Sequence, residues 1–476
     1  MLGLGAFGGA TSVSAAGADA QVQPSGPTAA IQSPHLKVLK RLTYGLNEAE
    51  VRYAYAIGTS AYIDEQLHPE SITDTECDAR LAALTTLGMS PFVLATQVSS
   101  TVTNQLIDAA VLRAIFSKRQ LLERTVEFWS DHFTTNINMV GIHKTAEVRD
   151  VYRLHAMGRF SDMLTASGQG AAMLIYLNGQ QNARSAPNQN YAREIMELHT
   201  LGVDGGYSQT DIVNVAKCFS GWRYNTSTAS QSYGAFTFNS SQHDLSSKLV
   251  LGNTIAANGG LSDGLTVIQI LADHPATHAF VSKKLLRWFI GYEPSASLVA
   301  YTAEVFRQSR GDIRQVLTRI LTYENLVDVA TPLLKRPYHY LVSALRATKA
   351  PMTSMDGMRG SYLPGVGQVP YTWVPPDGFP HETQYWGQLP LPRWNFAFNL
   401  ANGSISGAGV DLTALQGGLT TATALANRID MLCFGNEMPL FDKKALVGFL
   451  QPDPLTTTRA RDAFGLALAS PAFQWH

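Results

Sequence analysis

Apolar side chains recur every three or four residues along most of the chain, the spacing that lines one face of a helix. In His35–Leu42 the apolar positions are Leu36, Leu39 and Leu42, with Lys37, Lys40 and Arg41 off that face. Asn47-Glu-Ala-Glu50 carries the side chains of a helix start, and Gly58 marks a stop. Thr59 or Ser60 then caps a further helix that ends near Pro69. The longest helical region runs over 101–165. There Val111, Ile115, Leu122, Val126, Trp129 and Phe133 repeat at helical steps, apart from one seven-residue gap. Val213–Phe219 and Val281–Ile290 read as buried helices, and Ile313, Val316, Leu317, Ile320 and Leu321 share one face. Helices return at 337–347, 393–401, 421–434 and 458–469. Strand-like alternation is confined to Ala235-Phe-Thr-Phe238 and Leu249-Val-Leu251, enough for a small β-hairpin at most. No repeat of 20–50 residues is present.

This pattern predicts a mainly α protein, a large multi-helix body with long ordered loops. Residues 34–400 are assigned to a main helical domain and 401–476 to a C-terminal helical extension packed on it. Loops fall at 223–247, 351–392 and 402–420. The first two hold aromatic and His residues, which disordered segments tend to lack, so both are expected to be ordered.

Composition narrows the class. Lys and Arg number 36 against 37 Asp and Glu, a formal net charge of -1. That balance argues against a partner such as nucleic acid, whose phosphates demand a basic surface. No run approaches the ~18 apolar residues of a transmembrane segment. Residues 1–18 are uncharged and Gly/Ala-rich. They read as the end of a secretory signal without its basic start, so 1–33 is assigned to an export-signal remnant and flexible leader. The alternative is a disordered tail. A periplasmic or secreted location follows from the signal. The three cysteines cannot all pair; Cys218 reads as a buried thiol, and Cys77–Cys433 is the candidate disulfide.

The strongest local signal is Asn188-Gln-Asn-Tyr-Ala-Arg-Glu-Ile-Met-Glu-Leu-His-Thr-Leu201, between Pro187 and Gly202. At ~100° per residue, Asn190, Arg193, Glu194 and Glu197 fall within one arc beside an apolar stripe of Tyr191, Ile195 and Leu198. Two readings stand open. One is an amphipathic helix with a solvated face and an Arg193–Glu197 pair worth a few tenths of a kcal/mol. The other is a site, because Asn178-Gly-Gln-Gln-Asn-Ala-Arg184 places amides and an Arg just before the helix start, suited to an anion or sugar hydroxyls. Glu127-Phe-Trp-Ser-Asp-His132 sets two carboxylates one turn apart with a His beside them. His243-Asp244 lies in a polar loop. Trp373 to Trp386 reads as a sugar-stacking rim or a packed Ω-loop. Gly-x-Ser-x-Gly, the phosphate-binding Gly-Lys-Ser/Thr loop and His-Glu-x-x-His are all absent, and no nucleotide cofactor is expected. Carboxylates with two His supply donors for a divalent metal, though their scattered spacing matches no ligand motif.

Several of these elements stand together in one order: His35-Leu-Lys-Val-Leu-Lys-Arg-Leu-Thr-Tyr-Gly45, Glu127-Phe-Trp-Ser-Asp-His-Phe133, Ala172-Met-Leu-Ile-Tyr-Leu-Asn178 and Pro187 to Gly202. The Gly-Gly-Tyr-Ser-Gln turn at 205–209, Ser220-Gly-Trp222, His243-Asp244, His274-Pro275 and Pro375-Pro-Asp-Gly-Phe-Pro380 follow. On these motifs the chain resembles the bacterial domain-of-unknown-function 1800 family over nearly its full length. The resemblance implies export, often by the twin-arginine route, and a partner from the unknown-function 1501 family. It implies no established activity.

The reading that joins these signals is an exported hydrolase acting on a polysaccharide or other envelope polymer. Glu194 and Glu197 would be the acid–base pair, with His132 or His243 as alternative base and Asp244 beside it. Asn178, Asn182, Asn190, Arg193, Trp222, Trp373 and Trp386 would bind the polymer. Glu127, His132, the 188–202 helix and His243-Asp244 are expected to converge on one cleft under the 223–247 loop. The rival is a non-catalytic exported scaffold, in which Arg193 clasps Glu197 in a buried network.

Overall fold

The structure is a computed structural model that describes residues 33–388, 390–451 and 455–476. The export signal and leader expected over 1–33 lie, apart from Ser33, outside the described residues.

Helix α1 (Pro34–Leu42) starts on a proline and buries Leu36, Val38, Leu39 and Leu42. Helix α2 (Glu48–Ile57) starts where the Asn47 side chain accepts hydrogen bonds from the Ala49 and Glu50 amides, and it stops at Gly58 with φ +87°. The 101–165 region is not one run. It divides into α3 (Ser99–Phe116) and α4 (Gln120–His132) at the gap between Ile115 and Leu122. At the break, Ser117 Oγ donates to Asp74 at 2.6 Å and the Lys118 amide to the same carboxylate at 3.1 Å. A buried tertiary acceptor thus replaces the acceptors a continuous helix would offer. After His132 the chain passes through short turns and a wide π-helical turn (Val148–Arg153) before helix α5 (Phe160–Gln169).

The 188–202 segment is helical but not regular. It forms α6 (Gln189–Glu194) and then widens into a π-helical turn (Ile195–Thr200). Buried positions fall in pairs every four residues: Tyr191 and Ala192, Ile195 and Met196, His199 and Thr200. A period of four overshoots the 3.6 of an α-helix, and the wider turn keeps all three pairs on one face. His199 therefore takes the inward place expected of Leu198. Helix α7 (Gln209–Cys218) follows, started by a reciprocal Ser208–Asp211 cap.

The two expected strands do not pair with each other. Phe236–Phe238 pairs antiparallel with Trp222–Tyr224, and Lys248–Val250 pairs with Asn253–Ile255. The second ribbon closes through Leu251 and Gly252, both at positive φ (48° and 77°), the backbone of a two-residue hairpin turn. The protein is mainly α, and these ribbons are minor. Helices α8 (Leu261–Ala272) and α9 (Pro275–Phe289) lead to α10 (Pro337–Ala347), every residue of which is buried. Helix α10 packs on α3, on α11 (Pro390–Ala401) and on α12 (Ala422–Phe434); α11 packs on α13 (Thr457–Ala469). No described helix is long and apolar enough to cross a membrane.

Cys77, Cys218 and Cys433 are all free and buried, so the candidate Cys77–Cys433 disulfide is not formed. Burial pushes each thiol up to about 12. A thiol-specific chromogenic reagent is expected to label none of the three in native protein and all three in denaturant without reductant. Fewer than three in denaturant would mean a bond has formed.

Candidate functional site

Helix α4 turns Leu121, Val126, Phe128 and Trp129 into the core. Glu127 and Asp131, one turn apart, are left on the side that meets the start of α10. Arg336, just before the proline that opens α10, spans both carboxylates. Its Nη2 donates to Glu127 Oε1 at 2.5 Å and its Nη1 to Asp131 Oδ2 at 2.7 Å. His339, one turn into α10, places Nε2 2.8 Å from Glu127 Oε2, and the Tyr44 hydroxyl donates to the same oxygen at 2.8 Å. Glu127 is thereby saturated. Burial works against its charge, but His339 and Arg336 outweigh burial and hold its carboxyl well below the usual range.

Asp131 differs. Its Oδ1 makes no hydrogen bond with any described residue. Burial and the Glu127 charge push its carboxyl up to about 6, against the pull of Arg336. Asp131 lines a cleft of about 290 Å³ together with His132, Lys284, Trp288 and Asp377. Asp131 and Phe379 also line an inner chamber of about 50 Å³ that reaches Glu127, Glu123 and Tyr371. Lys284, on α9, is brought down to about 8 by burial, with Asp131 acting in the opposite direction. The two groups thus straddle neutrality in one cleft.

The outer wall is the Pro375-Pro-Asp-Gly-Phe-Pro380 segment. Trp373 Nε1 donates to Asp377 Oδ1 at 2.9 Å, and the Tyr176 hydroxyl donates to the Val374 carbonyl. Gly378 has φ +84° and lies against the Asp131 backbone carbonyl, where a Cβ has no room. Gly378→Ala is expected to lower stability by ~1–3 kcal/mol through overpacking and backbone strain, read by thermal unfolding. An unchanged melting temperature would show that the wall is not seated as described.

The polar arc of α6 stands half exposed near this wall. Glu194 makes no hydrogen bond or ion pair with any described residue. Its carboxyl is raised by burial, then by Glu197, with Asp377 adding and Arg193 opposing. Arg193 does not clasp Glu197: its Nη2 donates to Gln209 at 3.1 Å, while the Tyr207 hydroxyl donates to Glu197 at 3.4 Å. Arg193 and Glu197 both stay partly open.

Of the remaining candidates, His132 lines the Asp131 cleft, and His243 and Asp244 lie elsewhere. His132 is buried, with Nε2 3.0 Å from the His199 carbonyl; its Nδ1 and the Nε2 of His199 have no partner. Burial lowers both rings, His199 to about 3. His243 is fully enclosed. Its Nδ1 lies 2.8 Å from the Ser220 carbonyl and its Nε2 3.1 Å from Asp263, which also accepts from Lys248 at 2.6 Å. Asp244 takes the Ser246 amide and hydroxyl. The pair ties the polar loop to α7 and α8, with the His243 ring fully buried. The expected single cleft therefore separates into a Glu127–Asp131 centre, a Glu194–Glu197 rim and an enclosed His243–Asp263 cluster.

Among the expected polymer-binding residues, Asn182 is buried, its amide nitrogen bound to the Ala216 carbonyl and its oxygen to the Asn188 amide. Asn178 turns the chain at φ 56° and accepts from Asn188 through its carbonyl, and Asn190 donates to the Leu177 carbonyl at 3.3 Å. Trp222 is in the core beside Phe219 and Phe236. Trp386 is buried and donates to the Pro380 carbonyl, whereas Trp373 stays half exposed at the cleft wall. Asn178, Asn190, Arg193 and Trp373 keep a face open to a ligand.

Sequence reasoning passed over Arg336, His339 and Lys284. Arg336-Pro337 is an ordinary helix start, and nothing in the spacing links it to residues some 200 positions earlier. Asp131 was visible as the partner of Glu127, one turn away. No three His, Cys, Asp or Glu side chains among the described residues converge to hold a metal ion, so the divalent-metal version has no ligand set there.

A family model described as a protein of unknown function (DUF1800) matches residues 37–475. No curated protein and no solved structure matches the chain.

Proposed function

The chain belongs to the DUF1800 family of proteins of unknown function, and we propose that it is an exported hydrolase of a polysaccharide or other envelope polymer. Its acid–base work is placed at Asp131 and Lys284, with the Glu194–Glu197 rim on the polymer path. The observation that carries this reading is that Asp131, with one carboxylate oxygen unbonded, lines the cleft it shares with Lys284. Above about pH 6 the Asp131 carboxylate takes a proton from an attacking water; below about pH 8 the Lys284 ammonium stabilises negative charge on the leaving oxygen. Trp373 and Tyr385, at the loop surface, offer faces on which sugar rings stack.

A second reading, an exported scaffold, is favoured by the closed Glu127–Arg336–His339–Tyr44 network, whose hydrogen bonds are internal. Glu194 bears on the choice, because it is half-buried at the rim with no hydrogen-bond or ion-pair partner among the described residues, a position open to a ligand. The test is a screen of envelope polysaccharides and esters with wild type, Asp131→Asn and Glu194→Gln, alongside co-purification from the native envelope. Turnover lost in Asp131→Asn with the melting temperature kept supports the hydrolase. A stoichiometric partner, such as a member of the unknown-function 1501 family, with no turnover on any substrate would favour the scaffold.

A further inference from the structure

A groove of about 480 Å³ lies on the far side of the inner chamber and shares Arg113 and Arg153 with it. Its volume is within the ~300–1,000 Å³ of small-molecule sites. One wall is apolar, made by Leu81, Leu84, Leu87 and Leu106. The other carries three guanidinium groups whose charges are not equally balanced. Arg153 is held bidentately by Glu123 at 2.6 and 2.8 Å, and Arg149 by Asp150 through two bonds of 2.7 Å and by the Leu87 and Met89 carbonyls at 3.1 and 2.8 Å. Arg113 makes no hydrogen bond and no ion pair with any described residue. It is half-buried; burial and the neighbouring Arg153 disfavour its charge, and the Glu123 carboxylate acts in the opposite direction without bonding it. The Thr145 hydroxyl, on the same wall, is buried with no partner.

A half-buried guanidinium with no bonded acceptor and a buried hydroxyl with no partner, beside an apolar trough, leave an incomplete set of interactions. Buried donors without acceptors are costly, and a charge-assisted bond to an anion is the strongest way to satisfy a guanidinium. Leu81, Leu84, Leu87 and Leu106 make most of the remaining lining apolar. We propose that this groove binds an amphiphilic anion, with a phosphate or carboxylate head on Arg113 and Thr145 and an alkyl chain along Leu81, Leu84 and Leu87. A free inorganic anion would leave the leucine wall in water, and a neutral alcohol would leave Arg113 unpaired. The site stands whether or not Asp131 is catalytic, since it uses neither Asp131 nor Lys284.

The test is calorimetric titration of the full chain with decyl phosphate and with decanoate, each below its micelle concentration, and with inorganic phosphate and decanol as the two half-ligands. One site per chain for either amphiphile is expected, at least 10-fold tighter than either half-ligand. Arg113→Gln should weaken it at least 10-fold. Leu84→Gln, on the half-exposed wall, should do so too, and serves if Arg113→Gln lowers the melting temperature. No saturable amphiphile binding, equal binding of decanol or inorganic phosphate, or unchanged affinity in a folded variant would overturn the proposal.

Discussion

Arg336→Met is expected to lower stability at pH 7 by ~3–5 kcal/mol, measured by urea unfolding. The reason is the number of charges one guanidinium holds. Arg336 is itself buried, bonds Glu127 and Asp131 together and lies 4.4 Å from the centre of the Trp288 ring. Removing it leaves two neighbouring carboxylates facing each other in a desolvated place, and breaking a buried pair from one side costs that much. His339 and Tyr44 still hold Glu127, so Asp131 bears most of the loss. The deficit has a pH signature. Asp131 is raised to about 6 with Arg336 present, and without the guanidinium its pKa rises further. A raised carboxyl pKa means the folded protein keeps a proton that the unfolded chain has released. The stability linked to that proton is fully present below the ordinary carboxylate range and is lost as pH rises through the folded value. The deficit should therefore shrink between pH 7 and pH 5. A variant as stable as wild type at pH 7, or one whose deficit grows on acidification, would show that the clamp does not hold Asp131 in its charged form.

Asp131→Asn is expected to reduce kcat/KM on the hydrolase substrate by ~10²–10⁴, the contribution of a positioned acid–base group. For wild type the profile should be bell-shaped. The acidic limb should fall below about pH 6, where Asp131 is protonated, and the basic limb above about pH 8, where Lys284 loses its proton. In Asp131→Asn the acidic limb should disappear while the melting temperature is kept. Lys284→Met should remove the basic limb. A profile whose limbs survive both substitutions would assign the chemistry to other groups, with Glu194 the next to test by Glu194→Gln.

Much of this protein was legible along the chain. The 3.6-residue repeat placed the helices because helix formation is local, and Asn47 and Gly58 acted at the ends of α2 as their side chains dictate. The seven-residue gap between Ile115 and Leu122 already marked where α3 and α4 part. Misreadings arose where a distant group competed with a local one. At the gap itself, Asp74 captures Ser117 and Lys118 and so fixes the end of α3, a partner the spacing alone did not name. The positive-φ turn at Leu251-Gly252 folds Lys248–Val250 onto the residues after it, not onto Phe236–Phe238.

The site divides in the same way. The sequence by itself determined the mainly helical class, the family and the motif segments from which the cleft is built, because each is written in contiguous residues. The Glu127-x-x-x-Asp131 spacing is one helical turn, so their adjacency needed no fold. Tertiary structure alone decided which carboxylate is free. Glu127 is saturated by Tyr44, Arg336 and His339, groups that long stretches of chain separate from it and that meet it only once α1, α4 and α10 pack. It also decided that His243 is enclosed against Asp263, whereas Glu194 stands without a partner. Hydrogen-bond saturation and desolvation depend on what surrounds a group in three dimensions. Two carboxylates with the same local sequence signature can therefore end with opposite pKa shifts, as Glu127 and Asp131 do.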